Sequence, residues 1–124
     1  LPAGKVYYQP VSSVDLYATA LAIGGAKADA DSDGVDLLPF LKGEKQGRPR
    51  EVLYWRQGNK TALRVVDWKL VRHGRNQPGP WELYNLREDI SESRNLAAGQ
   101  PGRLAELRAA WEKLDGEMAE PAFR

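Results

Sequence analysis

Asp29, Asp31, Asp33 and Gly34 in the run DADSDG match the opening of a calcium loop, in which alternate carboxylates converge on one ion. The twelfth position of such a loop holds a bidentate glutamate; here it is Phe40, which has no oxygen to offer, so the run reads better as a solvated acidic turn. The single histidine, His73, lies beside Arg72 and Arg75 ahead of a glycine- and proline-rich stretch. That grouping could hold an anionic group or place an acid at a cleft edge, while a plain surface histidine is the simpler reading. Arg56, Arg64, Lys69 and Arg72 could line one side of a sheet as a sulfate, phosphate or carboxylate patch, because guanidinium groups present paired donors to such anions. Solvated strand faces would look the same. Of the four tryptophans, Trp55, Trp68 and Trp111 read as core residues, and Trp81, next to Pro80, reads as a ring for stacking on a sugar or base. Ser12, Ser13, Ser32, Ser91 and Ser93 lack a GxSxG context and have one histidine to share between them, so a serine nucleophile is not expected. Glu88, Asp89 and Glu92 fall in a polar, turn-rich segment where they would be ordinary acids.

Composition narrows the classes further. A chain of 124 residues with 42% hydrophobic and 28% charged residues fits one small globular body. Eighteen Lys and Arg against seventeen Asp and Glu leave a net charge of +1, so no overall field favours nucleic acid or an anionic membrane surface. The absence of cysteine excludes disulfides, thiolate metal sites and a cysteine nucleophile. No apolar run approaches the ~20 residues that span a bilayer. The chain begins at Leu1, which suggests a processed chain or an excised piece.

Residues 1–11 read as an extended entry segment. Ser12 stands three positions before Asp15 in a capping-box spacing, and Leu16, Thr19, Ala20 and Ile23 share one helical face, with Gly24 and Gly25 placed for a left-handed cap. This predicts a helix over about 13–24 whose apolar side chains need a partner. Residues 26–50 read as an ordered loop anchored by Val35, Leu37, Leu38, Phe40 and Leu41. Strands are predicted at 52–56, 61–66 and 68–73, with Gly58 and Asn59 turning the first pair; residues 74–80 are expected to leave the ladder before a fourth strand at about 82–86. From Pro101, Leu104, Leu107, Trp111, Leu114 and Met118 recur at helical spacing, giving a helix over about 101–119 that covers one sheet face. The fold class is therefore α+β: a four-stranded antiparallel sheet packed against a C-terminal helix, preceded by a helix and a long loop.

In order along the chain, VSSVDLYATALAIGGA, DGVDLLPFLKGE, EVLYWR, ALRVVDWKLVR and WELYNLREDISESRNLA resemble the C-terminal portion of the arylsulfatase-type sulfatases, in the alkaline phosphatase-like superfamily. DWKLV at 67–71 and ELYNL followed by Asp89, Glu92, Asn95, Leu96 and Ala97 are the strongest parts. Ala18, Asn85 and Ile90 depart from the pattern, which more often has proline, aspartate and proline there. The resemblance implies that residues 1–50 are the end of a large α/β catalytic domain and 51–124 a small C-terminal subdomain. It also implies a parent that hydrolyses sulfate esters with calcium and a formylglycine made within CxPxR or SxPxR. No serine here begins such a motif, so no catalytic or metal-binding residue carries over, and the chain alone is expected to be inactive. Its expected partners are the missing N-terminal catalytic domain and a sulfate-ester substrate, with no nucleic acid and no membrane; by analogy the parent is periplasmic or secreted. Arg72, His73, Arg75 and Trp81 are the candidate substrate-binding residues at the cleft rim. A stand-alone module for sulfated carbohydrate, or the equivalent piece of a phosphatase or phosphonate hydrolase, is the alternative.

Overall fold

The computed structural model describes residues 1, 3–29, 31–74 and 76–119, which fall into two compact units, Leu1–Glu51 and Val52–Arg124.

In the first unit, α1 (Ser13–Ile23) starts at the expected capping box, where the Ser12 N–H donates to Asp15 Oδ2 at 2.7 Å. Asp15 does more than cap. Its fully buried carboxylate also accepts the Val35 N–H at 3.0 Å and pairs with Arg50, whose guanidinium reaches on to the Asp33 carbonyl at 2.9 Å. Thr19 extends this fastening, receiving the Leu37 N–H at 3.0 Å. One carboxylate thus ties the helix, the loop that follows it and the end of the unit together. Gly34 belongs to the same arrangement: a Cβ there would overlap the Val14 carbonyl oxygen of α1. The left-handed residue after α1 is Gly25, at φ +74°, whereas Gly24 is at −77°. A short helix that the loop reading missed, α2 (Leu38–Lys42), begins with proline in its first turn and stops at Gly43, φ +81°. Phe40, half-buried on α2, lies under the Lys45 ammonium at 5.3 Å.

The second unit is a meander of β1 (Val52–Gln57), β2 (Lys60–Val65), β3 (Trp68–Gly74) and β4 (Pro78–Asn85), followed by α3 (Pro101–Glu117). Gly58, φ +55°, opens the two-residue turn between β1 and β2, as a type II′ hairpin wants. Period-two alternation decides which side chains meet the helix. Val52, Tyr54 and Arg56 on β1 align with Val65, Leu63 and Thr61 on β2, and these with Trp68, Leu70 and Arg72 on β3, then Leu83 and Trp81 on β4. Leu63, Leu70 and Leu83 are fully buried against Leu107 and Trp111 of α3. At ~25 cal/mol per Å² of apolar surface, each such leucine is worth about 1.5–3 kcal/mol. Polar bonds fix the helix in register: Trp111 Nε1 donates to Thr61 Oγ1 at 2.6 Å, and Asp115 accepts from Tyr54 Oη at 2.5 Å and Arg56 Nη1 at 2.8 Å. Burial and the Asp115 carboxylate together push the Tyr54 hydroxyl up to about 12.

Two local expectations are corrected. The ladder extends to residue 74: β4 starts at Pro78, and Gly74 pairs with Pro78 beyond a bulge in which Gly79 and Pro80 of β4 face the single residue His73. The hairpin closes because Gly79 lets its backbone lie on the His73 carbonyl and Gly74 on the Gln77 carbonyl, both approaches that a Cβ would block. Prolines 78 and 80 are tolerated there because β4 is an edge strand beside a bulge. The four-cation patch also divides: Arg56 and Arg72 face α3, whereas Arg64 and Lys69 face the other side, as alternation along a strand requires.

Candidate functional site

The described candidates Arg72, His73 and Trp81 lie on the β3–β4 hairpin but do not share one surface. Arg72 points to the helix side, its guanidinium carbon 4.5 Å from the Trp81 ring and 5.0 Å from the Trp111 ring. The two indoles meet edge to face with centroids 5.0 Å apart. The cation is therefore held between aromatic faces, where ring quadrupoles attract it. Its buried Nε has no hydrogen-bond partner, and among the described residues no carboxylate pairs with the group. His73 lies on the opposite side, exposed to solvent, and Arg75 falls outside the described residues. Trp81 is a strand residue packed against the leucine cluster, so its ring is engaged by Trp111 and Arg72.

Trp55 reverses the other half of the tryptophan reading. Expected in the core, it is 46% exposed, because Tyr54 and Arg56 on either side of it turn toward α3 and leave it on the far face. The signal was present in the alternation of VLYWRQ, where Tyr54 competes with Trp55 for the inward side.

Beyond β4, an open cavity of about 360 Å³ is lined by Asn85, Glu88, Asp89, Ser93, Arg94 and Leu96. Its residues are already bonded to one another. Asp89 accepts the Arg94 N–H at 2.8 Å, the Ser93 hydroxyl at 2.9 Å and the Ser91 hydroxyl at 3.1 Å, and the two backbone donors at Arg94 and Ser93 do most to hold its carboxyl down at about 2. Asn95 Oδ1 receives the N–H groups of Leu83 and Ala97, while the Leu96 N–H donates to the Leu83 carbonyl at 2.8 Å. Lys69 reaches Glu92 at 2.6 Å. Asn95 and Leu96 thus strap this segment to the outer edge of β4, Glu92 ties it to β3, and Asp89 folds it on itself. On the neighbouring strand face the Tyr84 hydroxyl donates to Glu82 at 2.5 Å and is pushed up to about 12, chiefly by that bond.

In the acidic run the Asp33 backbone carbonyl is bound by Arg50 and Gly34 approaches α1 closely, while Asp29, Asp31 and Asp33 are exposed. Among the described residues no group of three or more His, Asp or Glu is placed to hold a metal ion, and no helix is long and apolar enough to cross a membrane.

No protein-family model matches this sequence. The chain is 32% identical over 100 residues to the N-acetylgalactosamine-6-sulfatase of Mus musculus, covering 78% of this chain and 18% of that protein. It is 29% identical over 101 residues to arylsulfatase K of Danio rerio, covering 74% and 19%. Among solved structures, Ps i-CgsB superposes with a TM-score of 0.76 at 28% identity over 99% of this chain and 28% of that one. BT1596, a 2-O GAG sulfatase, superposes with a TM-score of 0.67 at 26% identity over 83% and 24%. The chain therefore spans about a fifth of the length of these curated relatives.

Proposed function

From a chain that belongs by sequence and fold to the sulfatases, we propose the C-terminal segment of a sulfuric ester hydrolase. In this reading residues 1–50 complete a larger α/β catalytic domain, and residues 51–124 form a subdomain that braces it and contributes to the rim of the cleft. The observation that carries it is the agreement of the two comparisons: about 30% identity across three-quarters of the chain, and one superposition that takes in nearly all of it. The division of labour within the chain agrees. Asp89, Glu92 and Asn95, strong points of the resemblance, bind the polypeptide to itself.

The calcium and formylglycine of the family do not fit here. No cysteine occurs, no serine begins SxPxR, and the described carboxylates make no three-ligand group. Both belong to the upstream polypeptide in this proposal, and no catalytic step is assigned to this chain. The relatives named for sulfated sugars point to a sulfated saccharide as the parent's substrate. Arg72 and Trp81 would then act from within the subdomain, holding the β3–β4 hairpin in shape, with His73 at its surface.

The test is complementation. This chain alone should leave 4-nitrophenyl sulfate intact. The parent polypeptide truncated before Leu1 should recover sulfate-ester hydrolysis when this chain is added or co-expressed. Full activity of the truncated parent without the chain, or hydrolysis by the chain alone, would refute the assignment.

A further inference from the structure

The sheet face opposite α3 carries an aromatic ring between two cations. Trp55 on β1 lies directly across from Ala62 on β2, and the register places Lys60 and Arg64 at the two diagonal positions on the same face. Directly opposed side chains on a sheet stand ~5 Å apart and diagonal ones about 7–8 Å, within reach of a long side chain. Ala62 is too small to cover the indole, which stays 46% exposed, and Lys60 is exposed beside it. Arg64 spends its Nε on the Val66 carbonyl at 2.9 Å, and its terminal nitrogens carry no ion pair among the described residues; nor does the Lys60 ammonium. The remaining charges nearby are committed, Lys69 to Glu92 and Glu82 to Tyr84. His73 and Gln57 add exposed polar groups on the same face.

We propose that Trp55, Lys60 and Arg64 form a platform for a pyranose ring bearing sulfate esters. An indole face on a rigid sheet stacks on the apolar C–H face of a sugar, as it does on other flat rings. Cations on both diagonals complement sulfate groups projecting from the ring edges. The saccharide class rests on the sulfatase reading, whereas the ring-plus-anion chemistry rests on the register and exposure alone. The platform also replaces Trp81 as the stacking ring, since Trp81 is engaged in the core.

The whole chain is titrated calorimetrically with a chondroitin 6-sulfate hexasaccharide and with the same hexasaccharide after desulfation. The sulfated form should bind. W55A should weaken binding about tenfold or more, W55F should retain most of it, and K60Q/R64Q should weaken it similarly while flattening its salt dependence. Thermal melts of each variant separate a lost site from a lost fold, and W55F, which keeps a flat ring, guards against the second. W55A binding like the wild-type chain, or the desulfated sugar binding as tightly as the sulfated one, overturns the proposal. So does a wild-type chain that binds neither sugar, which would mark the face as a surface for the rest of the polypeptide. Loss of this binding would leave the sulfatase assignment untouched, and failure of complementation would leave this titration standing.

Discussion

Two residues show where single side chains set local stability. Val66, in the two-residue turn between β2 and β3, has φ +57°, a left-handed conformation that costs an ordinary residue about 1–2 kcal/mol and a β-branched one no less. The turn survives because Arg64 holds the Val66 carbonyl and Leu86 donates to the Asp67 carbonyl at 2.7 Å. Replacing Val66 with Asn, which tolerates that region, should raise the melting temperature by several degrees, about 1 kcal/mol in stability. Asp89 gives a pH dependence. Its folded carboxyl titrates near 2 against an ordinary 3.8, so its contribution is present above 3.8 and fades as the pH falls toward 2. Urea midpoints measured between pH 5 and pH 2 should fall for the wild-type chain, and D89N should be less stable at pH 5 with a shallower acid slope.

At the scale of elements, α3 depends on a few polar contacts in an otherwise apolar interface. T61V keeps the volume at Thr61 but strands the buried indole N–H of Trp111, and should cost about 1–3 kcal/mol in chemical denaturation without altering the strand register. The same elements show what the sequence could disclose. α1, α3 and the first three strands were legible because capping residues, three-four spacing and alternation act over a few neighbours. α2 was hidden because a helix of five residues leaves no periodicity, and the start of β4 because Pro78 and Pro80 argue against a ladder that a bulge then accommodates. Trp68 and Trp111 read correctly as core, but facing depends on register: once Leu63, Leu70 and Leu83 align, Trp55 turns outward and Trp81 packs against the cluster. Asp15 was read as a cap, whereas its bond to Arg50 spans 35 positions, a distance that no local pattern reports.

For the molecule as a whole, the two units differ in how much they bury. The second contains fully buried leucines, while the first leaves Leu16 65% and Ile23 69% exposed on α1 and centres on a carboxylate. The α1 side that is buried holds Asp15 and Ala18, so the Leu16–Ile23 side remains the one in want of a partner. Hydrogen exchange should therefore show residues 1–51 opening at lower free energy than 52–119, and equal protection in the two would contradict this. The meander order β1-β2-β3-β4 bears on how the second unit comes together. Every strand finds its partner across a connection of two or three residues, so the chain closes only short loops before the sheet exists. Docking of α3 is the distant event left within this unit, and its refolding should be quick and single-exponential in stopped-flow fluorescence.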